Sequence, residues 1–113
     1  MKSEELEKTT GLSAENISLL RQIIFSIPTV EDARIFGSRA KGTFKPFSDI
    51  DIALIGEGVS HQDMISIIMQ IEDSMLPYCV DIVRYSAITN PALTDHIDRL
   101  GISLRPLNPT AIP

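Results

Sequence analysis

The stretch that most constrains this 113-residue chain is Asp49-Ile50-Asp51-Ile52-Ala53-Leu54-Ile55. It opens with acid and isoleucine alternating at a period of two. As a strand it therefore places Asp49 and Asp51 on one face and Ile50, Ile52 and Leu54 on the other. The isoleucine face has to be covered by other elements. Two carboxylates on an otherwise apolar strand are costly through desolvation and mutual repulsion, and Asp is disfavoured in strands. The pattern thus requires a sheet with one packed face and one face on which acids have a use. Gly56 and Gly58 close the segment.

Around it, helical and extended segments alternate. Ile17, Leu20, Ile24 and Ile27 recur in steps of three and four and predict a helix over 14–27, with Ser13 as cap, Leu12 as staple and Pro28 as stop. Asp32-Ala33-Arg34-Ile35-Phe36 predicts a strand that ends at the Gly37-Ser38 turn, and a loop runs from there through Ser48. Met64, Ile67, Ile68, Ile71 and Met75 predict a second helix over 61–75, capped by Ser60 and stopped by Pro77. A strand over 79–84 carries Val80 and Ile82 on one face and Cys79, Asp81 and Val83 on the other. Asn90-Pro91 opens a third helix over 91–100 with Leu93, Ile97 and Leu100, which Gly101 closes, and Ile102 to Leu107 offers an edge strand. No element is predicted in the polar Met1 to Lys8 segment. The expected fold class is α/β (α+β): a small mixed β-sheet flanked by helices, in a single domain over 1–107, with 108–113 as a flexible tail holding two prolines.

Composition narrows the function. With 43% apolar and 22% charged residues, one domain of this size can bury a real core without a disulfide or structural metal. Cys79 is the single cysteine, so it makes no internal bridge and no zinc cluster; it reads as a small buried hydrophobe. Ten Lys and Arg against fifteen Asp and Glu give a net charge of −5, which opposes general nucleic acid binding through a positive field. No apolar run reaches the length of a signal core or membrane span, so a cytoplasmic protein without membrane association is expected.

The chemistry concentrates in Gly37-Ser38, then Asp49-x-Asp51, then Asp81 alone in an apolar strand. Carboxylates two apart on a strand have Cα atoms about 6.5 Å apart, close enough for their side chains to converge on a shared hard cation. A third acid on a neighbouring strand would allow two Mg²⁺ ions at the ~4 Å separation used in in-line phosphoryl or nucleotidyl transfer. Gly37 permits close backbone approach to a phosphate, and Ser38 can donate from both its N–H and its hydroxyl. Arg39 and Lys41 stand near as charge partners, Arg39 as a candidate for phosphate or carboxylate contact and Lys41 more as a solvated turn cation. Arg84 is expected to pair with a surface acid, and His61 and His96 to lie on the surface, since their spacing makes no zinc site. Phe44 and Phe47 either pack the loop onto the sheet or form a base-stacking or partner-contact patch.

Gly37-Ser38-Arg39-Ala40-Lys41-Gly42, Ser48-Asp49-Ile50-Asp51-Ile52-Ala53-Leu54 and Val80-Asp81-Ile82-Val83 together resemble the signature of the minimal nucleotidyltransferases in the DNA polymerase beta superfamily, over residues 30–107. The resemblance implies a palm-like nucleotidyltransferase fold with ATP as substrate. It also implies metal ligation by Asp49, Asp51 and Asp81, with Asp81 receiving the proton of the attacking hydroxyl, and nucleotide binding by Gly37, Ser38, Arg39 and Ser48. It further implies a helical HEPN-domain partner in a toxin–antitoxin pair, the present chain being the antitoxin that transfers AMP to a tyrosine of the toxin, within a homodimer or hetero-oligomer. Two alternatives stand beside this: an antitoxin that neutralises its partner by non-covalent occlusion, and a small-molecule nucleotidyltransferase.

Overall fold

The computed structural model describes residues 2–105. The elements are α1 (Ser3–Thr10), α2 (Ala14–Ile24), β1 (Asp32–Phe36), α3 (Ser38–Lys41), β2 (Ile50–Ile55), α4 (His61–Glu72), β3 (Val80–Arg84), a 3₁₀ turn (Tyr85–Ala87), α5 (Pro91–Leu100) and β4 (Ile102–Ser103). The expected tail over 108–113 lies outside the described residues, as does the end of the expected 102–107 strand. Among the described residues no helix is long and apolar enough to cross a membrane.

The caps follow the sequence. The Ser13 side chain accepts from the Asn16 N–H, and Asn90 from the Ala92 N–H with Pro91 in the first turn. Ser60 and Asp63 form a reciprocal capping box on α4, and Asp63 also accepts from the Thr29 hydroxyl at 2.8 Å. These donors, the Ser60 main-chain N–H foremost, hold the Asp63 carboxyl below its ordinary range. Both long helices stop three residues earlier than the apolar period suggests. Phe25 caps α2 and Asp73 caps α4, and the following residues continue as turns, with Ile27 N–H donating to Ile24 O and Ser74 N–H to Ile71 O.

The four strands lie in the order β3-β2-β1-β4. β1 is antiparallel to both β2 and β4, while β2 and β3 are parallel and joined through α4. The alternation in β2 therefore divides the sheet as expected. Ile50, Ile52 and Leu54 are completely buried with Ala33 and Ile35, under Leu6 of α1, Ile17, Leu20 and Ile24 of α2, and Ile67 and Ile71 of α4. Each such side chain removed from water stabilises the fold by about 1.5–3 kcal/mol. The other face carries Asp51, Ala53 and Ile55 and has a smaller cluster of Phe36, Ala53 and Ile97, with Val83 and Leu93 packed beside it.

Two expectations change at this level. Cys79 is exposed, not a buried hydrophobe, because it precedes β3 on an open sheet edge. Arg84 donates to the Val59 carbonyl at 3.2 Å instead of pairing with an acid, since its face of β3 turns toward the covered side.

Candidate active site

The acids meet because of register. Asp51 and Asp81 are direct partners in the parallel β2–β3 ladder, and Asp49 stands two residues before Asp51 at the mouth of β2. Asp49 and Asp81 are exposed, whereas Asp51 is half-buried. The Asp51 carboxyl is pushed above its ordinary range, first by burial, then by the negative charges of Asp81 and Asp49, with His96 opposing. Such a site gains from any cation that enters it. Among the described residues, however, no three Asp, Glu, His or Cys side chains are already drawn together as a metal cage.

The turn leading out of β1 is built against these acids. Gly37 has φ 71° and ψ −150°, a conformation that residues with a side chain rarely adopt, and an added Cβ would sit 2.3 Å from Asp51 Oδ2. Glycine is thus required both by dihedral angle and by space, and the main chain of the turn lies directly on the Asp51 carboxylate. Ser38 begins α3 and its carbonyl accepts from Thr43 N–H at 3.0 Å. Ser48 closes the loop: its hydroxyl accepts from Lys45 N–H at 2.8 Å, and its carbonyl accepts from Arg39.

Arg39 does not face the acids. It is only 1% exposed, and its guanidinium donates to the carbonyls of Thr10 at 2.7 Å and Ser48 at 2.9 Å, between the rings of Phe44 and Tyr78. The expectation that Arg39 binds phosphate is therefore corrected: its donors are spent joining α1 to the loop, and no surface remains for a ligand. Phe44 takes the packing role, lying over Arg39 and against Gly11, while Phe47 is 93% exposed.

His96 is the residue that sequence reasoning misplaced. It is half-buried, its Nε2 accepts the Gly37 N–H at 3.0 Å, and its ring meets Phe36 edge-on at 6.1 Å between centroids. The signal was available: Leu93, His96 and Ile97 follow i, i+3, i+4, so His96 belongs to the inward stripe of α5.

Concavities of about 420 Å³ and 430 Å³ flank β3, the first lined by Leu76, Tyr78 and Val80, the second by Val83, Ile88 and Leu93, and neither includes the three acids.

Known proteins share this fold. The family model described as Polymerase beta, Nucleotidyltransferase matches residues 18–106. Among solved structures, a toxin–antitoxin with AMP-PNP superposes with a TM-score of 0.64 at 24% identity, covering 84% of this chain and 74% of that one. A tri-AMPylated Shewanella oneidensis HEPN toxin in complex with MNT antitoxin gives 0.62 at 17% identity, covering 86% and 75%. A nucleotidyltransferase-like protein from Sulfolobus solfataricus gives 0.51 at 19% identity, covering 95% and 89%. No curated protein matches the sequence.

Proposed function

The chain belongs to the polymerase beta nucleotidyltransferase family, and on that premise we propose that it is an antitoxin that transfers AMP from ATP to a tyrosine hydroxyl of a helical HEPN-domain toxin. The observation that carries the reading is the in-register pair Asp51 and Asp81, with the Gly37 main chain against the Asp51 carboxylate. Similarity to complexes described as holding AMP-PNP and an AMPylated HEPN toxin supports the choice of nucleotide and partner. A cytoplasmic setting accompanies it.

The donor set fits a hard divalent cation. Three carboxylates supply only oxygen, and Asp51 carries an electrostatic penalty that positive charge would relieve. Asp49, Asp51 and Asp81 would hold Mg²⁺, two ions in all, which when bound would neutralise the triphosphate and the charge that develops in the transition state. Gly37 and Ser38 orient the phosphates, and Ser48 supports the turn from the loop. The acceptor oxygen attacks the α-phosphorus as the bond to pyrophosphate breaks, and the acceptor proton passes to an Asp81 carboxylate oxygen.

The test is the intact mass of the toxin after incubation with this protein, ATP and Mg²⁺. The expected result is addition of adenylyl groups and inactivity that persists after the antitoxin is removed. Neutralisation without added mass, reversed on dissociation and retained by Asp49→Asn with Asp51→Asn, would establish occlusion instead.

A further inference from the structure

We infer that His96 is a positioning residue for nucleotide binding, holding the Gly37 turn at the one orientation in which Ser38 and Asp51 serve the same phosphates; this rests on the nucleotidyl-transfer reading above. The argument begins with what fixes Gly37. Its carbonyl is held locally, accepting from Ala40 and Lys41 N–H groups at 3.1 Å each. Its N–H is held by His96 Nε2 at 3.0 Å, across 59 residues of sequence. Gly37 has no side chain that packing could lock, and glycine samples more backbone conformations than any other residue. The imidazole therefore supplies the long-range restraint that joins the turn to α5.

The imidazole is itself fixed. Its neighbour Ile97 is completely buried in the cluster with Phe36 and Ala53, and its ring lies at 79° to the Phe36 ring, on the residue that precedes the turn and pairs with Asp51 in the ladder. In this hydrogen bond Gly37 N–H donates and the Nε2 lone pair accepts. His96 thus touches both the turn and the residue that aims it, while making no contact with the nucleotide in the proposed role.

Two variants separate positioning from packing. His96→Phe keeps a ring against Phe36 and removes the acceptor; His96→Gln places Oε1 where Nε2 stood. Hydrogen exchange at the Gly37 amide and calorimetric ATP affinity in Mg²⁺ are measured on both. The expected result is Gly37 protection in wild type and His96→Gln but not in His96→Phe, with ATP affinity about tenfold weaker in His96→Phe and within about threefold of wild type in His96→Gln, at similar melting temperatures. Should the phenylalanine variant not fold, His96→Leu takes its place. Wild-type ATP affinity in a variant that has lost Gly37 protection overturns the inference, as does an unprotected Gly37 amide in wild type. Absence of ATP binding by wild type overturns the nucleotide reading beneath it, and is distinguished because Gly37 protection then still responds to the variants.

Discussion

On the covered face of β2, Ile50, Ile52 and Leu54 are shut away beneath three helices; on its other face Asp51 stays half exposed beside Asp81, and only α5 packs nearby. One strand thus serves two tasks at opposite electrostatic extremes. The covered face gains from each methylene it removes from water, and among the described residues no buried side-chain nitrogen or oxygen lacks a hydrogen-bond partner. On the open face burial, and then the charges of Asp81 and Asp49, raise the Asp51 proton affinity, a cost that folding alone does not explain. Changes on the covered face should therefore cost stability, whereas changes to the acids of the open face should remove chemistry without costing stability. Mutations that cross this division would break the account.

The largest effect is expected from Asp81→Asn, which keeps the shape of the side chain while removing its charge and proton acceptor. Transfer to the partner should fall about 10²–10⁴-fold with the thermal transition preserved. Wild-type rates in that variant, read by intact mass over time, would remove Asp81 from the mechanism. On the covered face, Ile52→Ala should cost about 2–5 kcal/mol in urea unfolding, because a completely buried side chain leaves a cavity. The remaining folded molecules should still bind ATP.

Arg39 sharpens the comparison, since its sequence position beside Ser38 suggests the open face and its guanidinium lies inside. Arg39→Met should destabilise by about 3 kcal/mol, leaving carbonyls of Thr10 and Ser48 without their donors. A selective loss of ATP affinity at unchanged stability would return Arg39 to the phosphate site. The smallest effect comes from Asp51→Asn. The native state holds the Asp51 carboxyl above its ordinary range, so it binds that proton more tightly than the unfolded chain does. The penalty is absent below the ordinary Asp range and grows as pH rises through the raised native value. Asp51→Asn should consequently melt higher than wild type at pH 7 without divalent metal, and the advantage should shrink on acidification. A lower melting temperature at pH 7 would contradict the electrostatic argument.

Which parts were legible in the sequence follows from the same physics. The strands β1, β2 and β3 and the three helices α2, α4 and α5 announce themselves through apolar period and caps, because the covered face supplies a continuous hydrophobic signal. Helix α1 does not, since only Leu6 and Thr10 of its eight residues are buried and its stability comes from packing. Its quieter marks are Glu4 and Glu5 in the first turn, Lys8 in the last, and Gly11 with φ 72° just beyond. The four-residue α3 is too short to carry a period. The acidic residues could be placed on one face from alternation alone, whereas the pairing of Asp51 with Asp81 needed the register of two strands joined through α4. Arg39 and His96 were misassigned for opposite reasons. The partners of Arg39 are carbonyls, which no side-chain pattern reveals, and His96 sits between Asp95 and Asp98, whose charge disguised an inward position.

The central claim is that the open face is a metal-dependent nucleotide site, and calorimetry of ATP binding tests it most directly. Titrations would compare wild type in Mg²⁺, wild type in excess chelator, and the Asp49→Asn, Asp51→Asn double variant in Mg²⁺. A triphosphate cannot approach three carboxylates without cations between them. Binding in the first titration and its loss in the other two is the expected result; equal affinity in chelator, or in the double variant, would contradict it.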